Sequence, residues 1–138
     1  MMAGLICDLP AENGGTARVV DAFEAKVSET GRGVLVRVRG PLDLYYSAAF
    51  LLQVSRHTSA GKNVVVDLRE AQYVDSSGIR ALLQMQKELD AAHGDLRLVV
   101  TPGGRVERVI KLLQLDGHFQ LFGTAGEAWS TQLRARAA

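Results

Sequence analysis

Apolar and polar residues alternate in two stretches of the first half of the chain. The alternation runs from Phe23 to Ser28 and again from Val34 to Arg39, with the turn Gly31-Arg32-Gly33 between them. A period of two is typical of half-buried strands, so the pattern predicts an antiparallel hairpin. The run Gly40-Pro41-Leu42-Asp43 predicts the end of the second strand.

Beyond the hairpin, helical spacing alternates with short apolar runs. The pattern predicts helices over 44–60, 76–92, 105–115 and 125–136, the last with Trp129 and Leu133 inward, and strands over 64–68, 96–100 and 119–122. Strands that alternate with helices predict an α/β fold with right-handed crossovers between parallel strands. Residues 1–20 have no clear period and predict a flexible leader, which leaves 21–138 as one domain.

Charge and composition exclude several classes of protein. The chain has 16 basic and 15 acidic residues and a formal charge of +1, without the basic excess of a nucleic-acid binder. Its apolar runs are shorter than the ~18 residues of a membrane span, and no signal peptide is predicted. The one cysteine, Cys7, cannot form an internal disulfide, which fits a reducing, cytoplasmic location.

The most informative segment is the helix start Asp75-Ser76-Ser77-Gly78, which follows the apolar strand over 64–68. One interpretation is capping, in which Asp75 or Ser76 accepts a hydrogen bond from a free backbone N–H and contributes ~1 kcal/mol. The other is phosphorylation of Ser76, which places a phosphate against the positive end of the helix dipole. The residues alone leave both open.

Signals for catalysis or a bound ion are weak. No histidine is placed by sequence to activate Ser76, and His57, His93 and His118 lack metal-ligand spacing. Two weaker alternatives are a turn over 101–105 that would bind a phosphate and a magnesium cluster. The cluster would use four aspartates: Asp43, Asp67, Asp75 and Asp116. A receiver domain with Asp67 as phosphoacceptor would need an acidic pair after its first strand, where Val38-Arg39-Gly40 supplies none. We expect no enzymatic activity, no cofactor and no metal.

Several motifs, in order, resemble the STAS domains that act alone as anti-sigma factor antagonists. Gly40-Pro41-Leu42-Asp43 resembles the family's Gly-acid-Leu-Asp turn, and 64–78 resembles its apolar strand followed by Asp-Ser-Ser-Gly. The segments 96–100 and 106–122 resemble its last strand and its leucine-then-aromatic ending. The resemblance covers roughly residues 22–133 and implies a mixed sheet of four to five strands packed against about four helices.

The resemblance also implies a function. The serine after the aspartate, Ser76 here, is the phosphoacceptor of a cognate anti-sigma factor that is itself a serine kinase, and a metal-dependent phosphatase reverses the step. The unphosphorylated form sequesters the anti-sigma factor and frees a sigma factor. The residues expected at the partner surface are Asp43, Asp75, Ser76, Ser77, Gly78 and Arg80.

Two residues depart from the family pattern. Pro41 replaces the acidic residue of the turn and removes a backbone donor. Arg80 replaces a frequent glycine one turn after Ser76, where it is either a phosphate ligand or a solvated side chain. A STAS scaffold without a phosphate cycle, in a stress-signalling or lipid-transport complex, is the alternative function. The formation of a homodimer is left open.

Overall fold

A computed structural model describes residues 23–131. Its strands are β1 (Glu24–Thr30), β2 (Gly33–Leu42), β3 (Asn63–Val74), β4 (Asp95–Val99) and β5 (Gln120–Phe122). Its helices are α1 (Ser47–Ser59), α2 (Ser76–Ala91), α3 (Arg105–Leu112) and α4 (Ala125–Ser130). The predicted leader over 1–20 lies outside the described residues.

The strands form one mixed sheet in the order β1-β2-β3-β4-β5. Strand β1 pairs antiparallel with β2, and the three remaining pairs are parallel. Parallel neighbours need a crossover, and α1, α2 and α3 supply the crossovers between successive parallel strands. The α/β fold with a mixed sheet that the sequence predicts is confirmed.

The two faces of the sheet are covered unequally. Helices α1, α2 and α3 bury the main core on one face, where Phe50, Leu82 and Ile110 are fully buried. Helix α4 packs on the other face, where Ala128 and Trp129 meet Val65 of β3 and neighbouring side chains of β4 and β5. The central run over 64–68 is buried throughout, as expected for a strand covered on both faces.

Strand β3 is longer than predicted. The sequence predicts a strand over 64–68 and then a loop, but β3 continues to Val74 through mostly exposed residues. It does so because β2 also continues past Gly40, so that Pro41 pairs with Tyr73 and Leu42 with Val74 across two register shifts. Backbone pairing with the neighbouring strand therefore extends β3 through residues whose side chains show no strand pattern.

Three helices are shorter than predicted. Helix α1 begins at Ser47 because the three residues before it form a turn, and α3 ends at Leu112, shortly before Gln114 adopts a positive φ of 60°. Helix α4 ends at Ser130, where the predicted helix continues to 136. The next residue, Thr131, is extended.

The carboxyl end of α4 is held by a side chain of the sheet beneath it. The buried guanidinium of Arg97 on β4 donates hydrogen bonds to the backbone carbonyls of Ala128 and Thr131, the latter at 2.6 Å. Arg97 thereby satisfies carbonyls at the carboxyl end of the helix. Trp129 lies inward as predicted, and Leu133 lies outside the described residues.

Candidate functional site

The candidate site lies where β2 and β3 end side by side. Leu42 and Val74 are paired at the carboxyl-terminal edge of the sheet, so the residues that follow them, Asp43 and Asp75, begin adjacent loops. The backbone N–H of Asp75 donates to the carbonyl of Leu42 at 3.3 Å, which joins the two loops directly. Motifs separated by about thirty residues in the sequence therefore form one surface.

Asp75, and not Ser76, caps helix α2. One carboxylate oxygen of Asp75 accepts the backbone N–H groups of Ser77 at 2.8 Å and Gly78 at 3.0 Å, and Asp75 itself is extended. This geometry is that of an N-cap residue. Ser76 is the first residue of the helix, it is exposed, and its hydroxyl makes no hydrogen bond to the rest of residues 23–131. The capping interpretation therefore belongs to Asp75, and the hydroxyl of Ser76 has no structural task there.

The second carboxylate oxygen of Asp75 holds the neighbouring turn. It accepts the backbone N–H of Leu44 at 3.3 Å. All these donors are neutral backbone groups, so within the described part of the chain no cation pairs with the carboxylate of Asp75. The surface beside Ser76 thus keeps the negative charge of this residue.

Asp43 organises the turn that leads into α1. Its Oδ1 accepts the backbone N–H groups of Tyr45 at 3.0 Å and Tyr46 at 3.2 Å, and its Oδ2 accepts the hydroxyl of Tyr73 at 3.1 Å. Asp43 is half-buried. Replacing it by alanine would therefore disturb the turn as well as the surface.

Gly78 is buried and sets the distance between α2 and the end of β2. A Cβ atom at this position would lie 2.3 Å from the carbonyl oxygen of Leu42 and 2.7 Å from Cγ1 of Val74. Because real Cβ atoms do not approach backbone oxygens so closely, the position requires glycine. Gly78 therefore lies beneath the predicted partner surface, where it permits the close approach of α2 to the end of β2.

The two remaining predicted residues differ in exposure. Ser77 is half-buried, with its backbone N–H used by Asp75. Arg80 is exposed one turn after Ser76, and no ion pair or hydrogen bond of its side chain occurs within residues 23–131. Of the two adjacent serines, Ser76 is the accessible one.

Sequence reasoning missed two exposed apolar side chains in this surface. Leu44 is 76% exposed and Tyr45 is 75% exposed. Both lie in the turn held by Asp43 and Asp75, and the ring of Tyr45 meets that of Tyr46 edge to face at 4.8 Å. The available signal was that Leu44 and Tyr45 precede the helical stripe of α1 and do not fit it. We call Asp43, Leu44, Tyr45, Asp75 and Ser76 the docking surface.

The weaker sites considered from the sequence are occupied by internal contacts. Asp67 binds Arg69 through two side-chain hydrogen bonds of 2.8 and 3.0 Å. Burial raises the pKa of Asp67, but the hydrogen bonds and charge of Arg69 and the charge of Arg37 outweigh burial and lower the pKa below its ordinary value. In the turn over 101–105, the N–H of Gly103 already donates to Glu107 at 2.7 Å. Among the described residues no group of three possible metal ligands is close enough to hold an ion.

Comparison with known proteins then decides the family. The family model of the STAS domain matches residues 24–128. The chain belongs to the STAS domain family. The family resemblance seen in the sequence is thereby confirmed.

Three solved structures illustrate the likeness of this STAS domain. An anti-sigma factor antagonist from Mycobacterium paratuberculosis is 24% identical with a TM-score of 0.71, and the match covers 78% of this chain and 92% of that one. The Bacillus cell fate determinant SpoIIAA in its phosphorylated form is 25% identical with a TM-score of 0.59, covering 78% and 96%. The anti-sigma factor antagonist SpoIIAA in its unphosphorylated form is 24% identical with a TM-score of 0.62, covering 78% and 92%.

The helices of the domain are short or carry many charged residues. In the part of the chain from 23 to 131, none combines the length and the apolar composition that a transmembrane span needs.

Proposed function

We propose that this STAS domain is an anti-sigma factor antagonist switched by phosphorylation of Ser76. Its unphosphorylated form binds an anti-sigma factor that is a serine kinase and so releases a sigma factor in the cytoplasm. Phosphorylation by that kinase ends binding, and a metal-dependent phosphatase restores it. The observation that carries the proposal is an exposed Ser76 hydroxyl, free of the capping role, within the docking surface.

The charge of the docking surface explains how a phosphate would act. A phosphoserine carries roughly −1.5 to −2 charges at neutral pH. On Ser76 it would stand at the amino terminus of α2, where the helix dipole tolerates it, so the fold is retained. It would also stand beside Asp75, whose carboxylate no cation neutralises among the described residues, so a docking partner meets repulsion and a desolvation cost. Arg80, one turn along α2, is proposed to contact the phosphate or the partner.

The exposed apolar side chains supply the binding energy in this proposal. Large side chains such as Tyr45 that become buried in a partner often dominate an interface. Leu44 and Tyr45 are suited to this role because the hydrogen bonds of Asp43 and Asp75 hold their backbone in place before binding. The docking surface thus combines apolar anchors with an adjacent site for a repelling charge. The domain acts by binding, and we predict no turnover by the chain alone.

The switch is tested by calorimetry of Ser76 variants against one purified cognate anti-sigma factor. Ser76→Ala should bind as wild type and resist inactivation by Mg-ATP. Ser76→Asp should weaken binding by ~1.4 kcal/mol or more, which is a tenfold rise in dissociation constant. Ser130→Asp is the control, because Ser130 is exposed on α4, across the sheet from α2.

Phosphopeptide mapping provides the second readout. The kinase should place one phosphate on Ser76 and none on the half-buried Ser77. If Ser76→Asp binds as tightly as wild type, a negative charge at this position does not weaken binding. The role of a scaffold without a phosphate cycle is then better supported than the phosphate switch. If the phosphate maps to Ser77, the assignment of Ser76 is wrong.

The apolar anchors have their own test. Leu44→Ala and Tyr45→Ala should each weaken binding by about tenfold, with no change in melting temperature, because both side chains are exposed. The matched control is Leu112→Ala, since Leu112 is 75% exposed in the last turn of α3, outside the docking surface. Equal losses for Tyr45→Ala and Leu112→Ala would contradict the location of the docking surface.

A further inference from the structure

The outward side of β1 and β2 is left open by the helices. Helix α4 contacts β3, β4 and β5, and Leu35 is the β2 residue that packs against its cluster. Further along these strands the outward side chains are exposed within residues 23–131. We call this region, with the adjoining part of β3, the open face. Its charged residues are the exposed Glu24, Lys26, Arg37, Arg39, Arg69 and Glu70 and the buried Asp67.

The open face contains an unfavourable pair of like charges. Lys26 and Arg37 are direct cross-strand partners, and such partners project from the same side of the sheet. Like charges in this arrangement repel each other. In the described part of the chain, neither residue has an ion pair of its own. Asp67 is the register partner of Arg37 on β3, but its carboxylate is also hydrogen-bonded to Arg69. The positive charge of the Lys26–Arg37 pair is therefore compensated only in part.

The acidic residues nearby already have partners. Glu24 lies 3.8 Å from Arg39, and Asp67 lies 2.8 Å from Arg69. Glu70 is paired in register with Arg39, away from Lys26. Beside these groups a groove of about 380 Å³ is lined by Arg37, Val38, Asp67, Arg69 and Glu70. An acidic group that approaches the open face thus meets Lys26, together with Arg37, which shares Asp67 with Arg69.

We propose that residues 1–22 of this chain bind the open face through their acidic side chains. This segment contains Asp8, Glu12 and Asp21 and a single basic residue, Arg18, so its charge is opposite to that of the Lys26–Arg37 pair. It joins the domain at Phe23, next to edge strand β1. Tethering holds its carboxylates near the face at an effective concentration of about millimolar, at which weak ionic contacts are populated.

The chain offers a specific probe of this contact, because Cys7 is its one cysteine. A nitroxide on Cys7 of the full-length protein should broaden the amide signals of β1 and of Arg37 and Arg39 in β2. The signals of α1 and α2, on the other side of the sheet, should keep their intensity. The broadening should disappear at about 0.5 M NaCl, where the screening length falls to about 4 Å.

Charge variants test which groups are responsible. Lys26→Glu should abolish the broadening while raising the melting temperature, because it converts a repelling pair with Arg37 into an attracting one. The variant with Asp8→Asn, Glu12→Gln and Asp21→Asn should abolish it without changing the melting temperature. Lys87→Glu on α2 is the control and should leave the broadening unchanged, since Lys87 is exposed on the helical side.

Three results would overturn the proposal. The first is the absence of broadening on β1 and β2. The second is broadening that persists in both charge variants. The third is broadening at Leu44, Tyr45 and Ser76 instead, which would place the segment on the docking surface. If inorganic phosphate shifts the Arg37 signals while the label has no effect, the open face binds a small oxyanion and not this segment.

Discussion

At the carboxyl-terminal edge of the sheet, carboxylates are held by neutral donors, whereas at the opposite edge a carboxylate lies among basic side chains. Asp43 and Asp75 accept hydrogen bonds from backbone N–H groups and one tyrosine hydroxyl. At the other edge, Glu29 lies 3.3 Å from Lys62, 3.9 Å from Arg56 and 3.9 Å from Nδ1 of His57.

This difference determines how each edge responds to added charge. Backbone donors position Asp75 without cancelling its charge, so another negative group on Ser76 adds to a field that is already negative. At the opposite edge, Arg56 and Lys62 lie around the buried His57, so a proton there is opposed by burial and by like charge. We therefore expect the first edge to respond to a phosphate on Ser76 and the second to respond to pH.

The largest expected effect comes from filling the space at Gly78. Gly78→Ala should cost about 2–3 kcal/mol, because the new methyl group meets the carbonyl of Leu42 and cannot be accommodated without moving α2. Thermal unfolding should show a drop in melting temperature of about 10 °C. The control is Gly126→Ala in α4, where the nearest atom to a Cβ lies at 3.9 Å and no loss is expected. Equal melting temperatures for the two variants would contradict the tight approach of α2 to β2.

The next effect separates the capping role of Asp75 from its charge. Asp75→Ala should lose about 1–2 kcal/mol of stability, because the first turn of α2 loses its acceptor. Asp75→Asn should lose much less, since asparagine caps about as well as aspartate. Denaturant unfolding of both variants measures the difference. If both variants are equally destabilised, the charge of Asp75 matters more than its hydrogen bonds.

A smaller effect is expected from the pH dependence of His57. Burial and the charges of Arg56 and Lys62 lower the pKa of His57 below 6.5, although Glu29 raises it in part. The unfolded chain then binds a proton more readily than the folded one, so stability should fall as pH decreases from 7 through 6.5 and level off below the folded pKa. Urea unfolding from pH 7.5 to 5 should show this slope, and His57→Gln should remove it. A slope that is unchanged in His57→Gln belongs to another group.

The smallest effect is expected from Glu29→Gln. Its ion pairs are largely exposed, so the loss at neutral pH should be within about 0.5 kcal/mol. The loss of Glu29 should nevertheless lower the pKa of His57 further, since Glu29 is the group that raises it. Histidine proton signals followed by NMR during a pH titration report this shift. A pKa of His57 that stays unchanged in Glu29→Gln would contradict the effect of Glu29 on this histidine.

Much of the fold could be predicted because its elements carry strong local signals. The alternating hairpin, the apolar run over 64–68 and the start of α2 at Ser76 all agree with the structure. The continuation of β3 to Val74 could not be predicted, because it depends on pairing with β2 and not on its own side chains. The hydrogen bonds that hold the end of α4 could not be predicted either, because they come from Arg97, which is distant in the sequence.

At the site, the sequence identified residues that the fold brings to one edge of the sheet, but it did not show which of them caps α2. The Asp-Ser-Ser-Gly run is compatible with either Asp75 or Ser76 as the cap, and only the extended backbone of Asp75 distinguishes them. The exposure of Leu44 and Tyr45 could not be predicted from the sequence either, since leucine and tyrosine are more often buried or half-buried. Their position follows from hydrogen bonds to Asp43 and Asp75.

By itself, the sequence determined the order of strands and helices, the family, and the serine at the start of α2. Those features depend on local periodicity and on residues that are close together in the chain. The tertiary structure decided that Asp43 and Asp75 share one surface, that Gly78 lies beneath it, and that the Ser76 hydroxyl makes no hydrogen bond within residues 23–131. The reason is physical: β2 and β3 are brought together by backbone pairing, and the contacts made at their ends have no local signature in the sequence.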